Sequence, residues 1–497
     1  MGRLSIKIYM KIKLFLFSVL VSFQVFSQEP FLSIPNDLKT RSKSPSDAFA
    51  VVDNENNSFA IFLDDKKTLN GYLYSENLEP LGKFSSNGLP KFYNEIIGST
   101  HKNGQIRLFV KNQNNRNFGS VLFDFSRKAT LETEYNFKLK GETYLQSHSY
   151  RDKFYILTVS RNSSILNIYV FDHDGKFDKR TFNFDDKYFG DRKNKQVDLD
   201  FLLTDREQFK TEGAVVKIEE SNPNNIAITS KLNKIYDRKN SFLLTIDGGL
   251  LYTYLFEFKV PELNVNLKAI EKEQLPFEGF LPESNSYIFK DNIYQICALS
   301  DTLIFTVKNI DTKKEIKRIE LSKDEEITFK NSPIIQEGTS FGANKRRELD
   351  KTSQFLRKIT TEDIGLAVIL TKDGYQITMG GNMEISNTGG GGAMIMTGLN
   401  TGMTIATVGA FTFSFNPVFY SFYSYKFNKS TRIECLFDEN FEHIPGATPH
   451  NVFDTIEAFT LKNPKAKAET IFKIQNSFIY GKYNDEADTY ELFKFIE

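Results

Sequence analysis

A two-strand pattern recurs along the chain at a nearly constant spacing. Each copy has a run of β-branched and aromatic residues, a polar turn and a second alternating run. The first strong apolar residues of the first three copies are Phe59, Ile106 and Phe154, which lie 47 and 48 residues apart. A hairpin cannot bury both of its faces alone, so the copies must pack on one another.

Four weaker copies follow, and Phe242 and Ile293 start the fourth and fifth, 51 residues apart. The last two copies comprise these segments: 364–370 with 419–425 and 431–438, and 477–483 with 489–495. A period of about 40–50 residues is typical of propeller blades. We therefore predict an all-β fold over residues 29–497, a β-propeller of about seven four-stranded blades. Two β-sandwiches or irregular meanders fit the same short strands and turns and stay open as alternatives.

Short helices are predicted as decorations on this β-framework. Apolar residues recur at helical spacing within residues 343–359, and Pro449 precedes a similar pattern over 450–460. A shorter helix is predicted within residues 197–207.

The longest departure from the period is an uncharged stretch, residues 385–425, which includes four consecutive glycines at 389–392. Its glycines and threonines are poor material for a membrane-spanning helix. We predict a Gly-rich insertion, either a long loop or hairpin packed on the blade rim, or a segment that contacts a partner or a membrane. The second reading follows from its methionines and phenylalanines, because a large exposed apolar patch usually marks an interaction site.

The N-terminus has the order of a secretory signal peptide. Lys7, Lys11 and Lys13 precede the apolar run 14–23, and residues 24–28, which end in Ser27 and Gln28, follow it. This run is shorter than the roughly 20 residues that a spanning helix needs. We predict that residues 1–28 are removed, that no integral membrane span remains, and that the protein is secreted or periplasmic, with outer-membrane association as a further option.

Composition disfavours nucleic-acid binding and a fold held together by disulfides or zinc. Lys plus Arg equals Asp plus Glu, at 63 each, so no global positive field is available for nucleic acid, and no nucleic-acid partner is predicted. The two cysteines, Cys297 and Cys435, cannot form a disulfide scaffold and have no zinc-site spacing. Cys297 lies in an apolar run, where a buried thiol is expected.

No motif in the sequence identifies catalytic residues, which stay unknown, and no cofactor or metal site is predicted. The histidines do not fall at HExxH spacing, and GxSxG and GxxxxGK[ST] are missing. Residues 172–178 alternate acidic side chains around an Asp-Gly pair, but they lack the later ligands of an EF-hand. A turn between antiparallel strands is favoured there over a calcium site.

The hairpins between about residue 44 and the end of the chain, such as 153–157 with 167–172, resemble those of secreted β-propeller proteins. The chain has no Trp, so it lacks the signature of the WD family, and the resemblance transfers no functional residues. We expect an exported, non-catalytic binding or scaffold module at the bacterial cell envelope, whose partner is an unknown envelope protein or surface contacted through residues 385–425. The alternative is a polysaccharide-directed hydrolase or lyase with carboxylates in the propeller funnel. A neutral, filled central channel would favour the binding module.

Overall fold

The structure, a computed structural model, describes residues 30–496 except for 39–43, 88, 91, 94, 205–214, 339–345, 384–415, 427–428 and 463–465. Within that part, the strands form seven separate sheets of four or five strands each. The fold is an all-β propeller with short helices, as the hairpin period predicts.

The first three blades are four-stranded antiparallel meanders. They follow β1 (Leu32–Pro35), which pairs elsewhere. Blade 1 contains β2 (Asp47–Asp53), β3 (Ser58–Asp64), β4 (Leu69–Ser75) and β5 (Pro80–Ser86). Blade 2 contains β6 (Glu95–Lys102), β7 (Gln105–Lys111), β8 (Phe118–Asp124) and β9 (Ala129–Tyr135). Blade 3 contains β10 (Glu142–Tyr150), β11 (Lys153–Ser160), β12 (Ile165–Phe171) and β13 (Phe177–Asn183).

Blade 4 has five strands rather than the predicted four. An additional strand pairs in parallel with the first strand of a four-stranded antiparallel meander. The segment before it forms α1 (Leu199–Thr204), within the range predicted as helix. Blade 4 contains β14 (Val215–Ile218), then α2 (Ile226–Thr229), β15 (Asn233–Arg238), β16 (Ser241–Ile246), β17 (Tyr252–Lys259) and β18 (Asn264–Glu271). Blade 5 contains β19 (Glu283–Phe289), β20 (Asn292–Ala298), β21 (Thr302–Asn309) and β22 (Glu315–Ser322).

Blade 6 also has five strands, in the order β24-β23-β27-β26-β25, so an upstream hairpin supplies its outer edge. Its elements are β23 (Ile334–Gln336), β24 (Arg347–Leu349), α3 (Thr352–Ile359), β25 (Asp363–Thr371), β26 (Gly374–Asn382), α4 (Pro417–Lys426) and β27 (Ser430–Phe437). Blade 7 follows α5 (Val452–Leu461) and contains β28 (Lys467–Ile474), β29 (Ser477–Asn484), β30 (Thr489–Ile496) and β1.

The hairpins recognised in the sequence are, in six of the seven blades, the second and third strands of the meander. These strands are apolar almost throughout, as in β3 and β11, because each blade packs between two neighbours and buries both faces. The fourth strands face solvent, and nearly all of β13 is exposed. The repeat was therefore detectable mainly through its central strands.

Buried apolar side chains join most neighbouring blades. Blades 1 and 2 share a cluster in which the rings of Phe62 and Phe123 are 5.0 Å apart. Phe109 of blade 2 stacks on Phe154 of blade 3 at 4.1 Å. Further clusters join blade 3 to 4, blade 4 to 5 and 6, and blade 7 to 1. Among the described residues, no cluster contains buried side chains from the strands of both blade 6 and blade 7.

The two ends of the described chain meet in blade 7. β1 is the fourth strand of this blade and pairs antiparallel with β30, with Leu32 opposite Leu492 and Ile34 opposite Tyr490. Ile34 and Tyr490 are fully buried. This pairing joins the first and the last strand of the described chain in one sheet.

The helix predictions have different outcomes. The prediction for 450–460 is confirmed by α5. The prediction for 343–359 is only partly correct, because residues 347–349 form β24 and the helix begins at Thr352. Leu349 fits the helical spacing, but it pairs with Ile334 of β23, so strand pairing decides the conformation there.

The prediction of a strand at 419–425, within the uncharged insertion, is wrong. These residues belong to α4, which begins after Asn416, whose Oδ1 accepts hydrogen bonds from the backbone N of Val418 (3.1 Å) and Phe419 (3.2 Å). An Asn cap followed by Pro417 is a strong helix start. The rest of the insertion, 385–415, lies outside the described residues.

Candidate functional site

Residues 219–230, which link β14 to β15 and include α2, run through the middle of the propeller. The side-chain nitrogen of Asn224 donates to the hydroxyl of Tyr287 in blade 5 at 3.0 Å. Lys473 Nζ of blade 7 donates to the carbonyl of Ser221 at 3.3 Å. α2 also packs on β25 and β26 of blade 6. Since one short segment reaches blades 5, 6 and 7 from blade 4, it lies near the propeller axis.

This central segment is buried and mostly uncharged. Asn222, Asn224 and Asn225 are buried together with Ile226. The side chain of Asn225 caps α2 by accepting from the backbone N of Ile228 (3.2 Å) and donates to a backbone carbonyl of α4. The segment thus meets its neighbours in blades 5 to 7 through backbone, amide and apolar groups.

A fully buried ion cluster lies where blades 4 and 5 meet the end of the central segment. Lys234 Nζ is 3.1 Å from a carboxylate oxygen of Asp247, and Lys272 Nζ is 3.8 Å from the other oxygen. Lys234 also donates to Asn285, which in turn donates to the carbonyl of Ser230 at 2.7 Å. Burial lowers the pKa of both lysines. Burial alone raises the pKa of Asp247, but the two lysines hold it below its usual range.

Three carboxylates lie at the start of the central segment or beside it: Glu219, Glu220 and Asp237. Arg238 Nε donates to Glu220 at 3.0 Å, and Lys217 Nζ lies 2.7 Å from Asp237. Burial raises the pKa of Glu219 and Glu220. Burial alone raises that of Asp237 too, but the charge of Lys217 brings it below its usual range. Glu220 and Asp237 are therefore held in ion pairs with basic side chains.

Blade 6 presents a polar face toward blade 7. Strand alternation places Ala367, Thr378 and Glu434 in one cross-strand row on this face. The neighbouring positions on β26 and β27, such as Ile377 and Cys435, point the other way into the apolar cluster shared with blades 4 and 5. The side of blade 6 that meets blade 7 therefore lacks the apolar packing seen between the other blades.

The helices α4 and α5 lie between this polar face and blade 7. Their apolar sides pack on blade 7, where Phe453 contacts both Phe422 (5.4 Å between ring centroids) and Phe478 (5.7 Å). Their polar sides face blade 6, and the hydroxyl of Tyr425 donates to Asp454 Oδ1 at 2.6 Å. The helix pair covers the apolar face of blade 7 and leaves a polar space next to blade 6.

That space, which we call the blade 6 cleft, has a volume of about 280 Å³. Arg432 lines the cleft. The Nη1 of Arg432 donates to Glu337 at 2.7 Å, and its Nε lies 3.7 Å from Glu434. Burial alone lowers the pKa of Arg432, but these two carboxylates hold it above its usual range. The side chain of Gln376 also lines the cleft, and its Oε1 has no hydrogen-bond partner among the described residues.

The carboxyl group of Glu362, just before β25, should make the stability of the protein depend on pH. Its Oε1 accepts a hydrogen bond from Thr431 at 3.1 Å, and burial raises its pKa from 4.5 to about 7. A raised carboxyl pKa means that the folded state holds its proton more tightly than the unfolded state, so the free energy of unfolding should fall as the pH rises from about 4.5 through 7. Glu362→Gln should remove this component and make the protein more stable than wild type at pH 8, as measured by urea denaturation.

The exposed Glu348→Gln is the matched control and should leave the pH dependence unchanged. The assignment would be wrong if Glu362→Gln kept the wild-type difference in stability between pH 5 and pH 8.

Other residues weighed in the sequence occupy structural positions. Residues 172–178 begin with the turn between β12 and β13, where Gly175 N donates to the carbonyl of Asp172 at 3.0 Å. Cys297 and Cys435 are buried and unbridged, and burial raises the pKa of Cys297 to about 11. In the part of the chain that the structure describes, no group of three or more His, Cys, Asp or Glu is placed to hold a metal ion. No helix in that part is long and apolar enough to cross a membrane.

The central segment and the blade 6 cleft were both missed in the sequence. One local signal was available for each: the run Asn222-Pro-Asn-Asn225 before an apolar stretch is typical of a helix cap, and Asn416-Pro417 starts α4. Neither signal says which blades the resulting helix contacts.

No protein-family model and no curated protein sequence matches this chain. Among solved structures, it is similar to a prolyl endopeptidase at 8% identity with a TM-score of 0.34, covering 93% of this chain and 52% of that one. It is similar to the Synechocystis apocarotenoid oxygenase at 7% identity with a TM-score of 0.27, covering 53% and 58%. A protein of unknown function from Desulfotomaculum acetoxidans gives 12% identity and a TM-score of 0.26, covering 67% and 78%. At this distance no activity is carried over from these proteins.

Proposed function

We propose that the protein is an exported, non-catalytic β-propeller that acts as a binding or scaffold module at the bacterial cell envelope. The observation that carries the proposal is the position of residues 219–230, which contact blades 5, 6 and 7 near the propeller axis. A hydrolase that works in the funnel needs space for a sugar chain between two free carboxyl groups. Here residues 219–230, most of which are buried, lie near the centre, and Glu220 and Asp237 are paired with Arg238 and Lys217. This arrangement favours binding over cleavage.

The contact with the envelope is assigned to residues 385–415, the part of the uncharged stretch that precedes α4. Residues 416–425 do not take part in this contact, because the apolar side chains of α4 are buried against blade 7. The remaining 385–415 carry several Met and Phe side chains and no charge. Each such side chain costs about 1.5–3 kcal/mol when left fully in water, so a covering surface stabilises them.

Replacing residues 386–415 with a short Gly-Ser linker should release the protein from the envelope fraction and change its melting temperature little. The linker keeps α4 and both strands that flank the insertion, so blade 6 keeps its described contacts. The measurement compares cell fractionation and thermal unfolding with the unaltered protein. N-terminal sequencing of the same envelope material should begin at Gln28 or Glu29.

Two results would contradict this proposal. A linker variant that melts far lower but fractionates as before would make the stretch part of the core. An envelope form that still begins at Met1 or Met10 would rule out processing of the signal segment.

A further inference from the structure

We propose that the blade 6 cleft is a binding site for a neutral sugar unit of an envelope polysaccharide or oligosaccharide. This inference rests on the proposed binding function and names its ligand class. The cleft lies between blade 6 and the helix pair α4 and α5, and residues 223–226 of the central segment also line it. The proposal differs from the funnel hydrolase because it requires binding without cleavage.

The wall of the cleft formed by β26 carries polar side chains, which lie on the strand face opposite the apolar core. Gln376 is only 7% exposed, yet its Oε1 accepts no hydrogen bond from any described residue. Buried polar atoms in native proteins nearly always have a partner, so an acceptor of this kind that lines a cavity points to a ligand or solvent donor. Thr378, two residues along β26, lines the same wall.

A second feature prepares the opposite wall for hydrogen bonding. The hydroxyl of Tyr425 accepts from Asn451 Nδ2 at 3.1 Å and donates to Asp454 at 2.6 Å. Asn451 and Asp454 themselves form the capping box of α5, so their positions are set by the helix start. The tyrosine ring and these oxygens therefore stand in a defined geometry at the edge of the cleft before any ligand arrives.

The charges of the lining select against strongly charged ligands. Three basic side chains line the cleft: Arg346, Lys426 and Arg432. Four acidic side chains also line it: Glu337, Glu434, Asp454 and Glu457. With the two signs nearly balanced, neither a polyanion nor a polycation gains a net attraction. Sugar hydroxyls both donate and accept, so they suit a wall that offers carboxylates, an amide oxygen and cationic donors together.

The size of the cleft is compatible with this ligand class. Its volume of about 280 Å³ is near the lower end of the range for small-molecule pockets, roughly 300–1,000 Å³. The cleft therefore accommodates a small unit, such as one sugar ring or the end of a chain, and leaves the rest of a polysaccharide outside.

The test is binding of the purified full-length mature protein to a panel of soluble neutral glycans, namely glucan, mannan, galactan, xylan and chitin-derived oligosaccharides, with alginate and heparin as charged comparators. Calorimetry should find at least one neutral glycan that binds. Gln376→Leu, which removes a polar group that has an unpartnered oxygen, should weaken that binding at least tenfold. Gln295→Leu is the matched control. Gln295 is 3% exposed in blade 5, its Oε1 also has no hydrogen-bond partner among the described residues, and it does not line the cleft, so the variant should bind as wild type.

The site is overturned if no neutral glycan binds, if only the charged comparators bind, or if Gln376→Leu and Gln295→Leu bind equally well while both fold normally by circular dichroism. In these cases the linker variant of residues 386–415 can still be released from the envelope fraction, and the proposed binding function would then stand without this ligand. If instead the wild type releases reducing ends from a bound glycan, the non-catalytic function fails, while a loss of binding in Gln376→Leu would still support the cleft as the site.

Discussion

Replacing Asp247 with asparagine should destabilise the protein by about 3–5 kcal/mol, the range found when one partner of a buried ion pair is removed. The substitution keeps the shape of the side chain but leaves the ammonium groups of Lys234 and Lys272 buried without a carboxylate. Both lysines are 2% exposed or less, so water cannot replace the lost partner. Urea denaturation of the folded protein at pH 7 measures the loss.

Asp311→Asn is the matched control. Asp311 pairs with Lys268 at the surface, where it is 77% exposed, so its removal should cost less than about 1 kcal/mol. Adding Lys272→Met to Asp247→Asn should recover part of the lost stability, because it removes one of the uncompensated charges. An Asp247→Asn protein as stable as wild type would mean that the cluster contributes nothing to the junction of blades 4 and 5.

Deleting residues 485–497 should abolish cooperative folding. These residues include β30, which lies between β29 and β1, so its loss removes a central strand and leaves β1 without a partner. The deletion also removes Tyr490 and Leu492, which are fully buried between blades 7 and 1. Unpaired strand edges and exposed apolar side chains then favour aggregation over a defined fold. Thermal unfolding followed by circular dichroism should show no sharp transition.

Two point variants in β1, one at a buried and one at an exposed position, test the contact between blades 7 and 1 without truncation. Ile34→Ala should cost about 2–5 kcal/mol, because it empties a fully buried position in β1. Ser33→Ala, at the exposed neighbouring position, should change stability by less than about 0.5 kcal/mol. A truncated protein with unchanged melting would instead indicate independent β-sandwich domains.

Much of the blade architecture could be predicted, and particular residues show why. Phe59, Ile106 and Phe154 recur at a nearly constant spacing, and all three are buried in the second strands of their blades. Such central strands are covered on both faces, so their apolar character is visible in every copy. The signal was weakest in blade 6, where 419–425 carries strand-like aromatics but folds as α4 under its Asn416 cap.

The candidate sites could not be predicted in the same way. The position of residues 219–230 depends on partners such as Tyr287 and Lys473, which are distant in the chain. The blade 6 cleft combines β26 with two helices that follow it by many residues. Residue types and local spacing carry no information about which of these surfaces face one another.

By itself, the sequence determined the all-β class, the approximate number of blades and the helix over 450–460, because period-two alternation, turn residues and caps act over a few neighbouring residues. Only the tertiary structure decided that β1 completes blade 7, that residues 219–230 contact blades 5 to 7, and that the polar face of blade 6 meets a helix pair. These features arise from packing between segments far apart in the chain, where burial and charge pairing choose among arrangements that the local pattern permits equally.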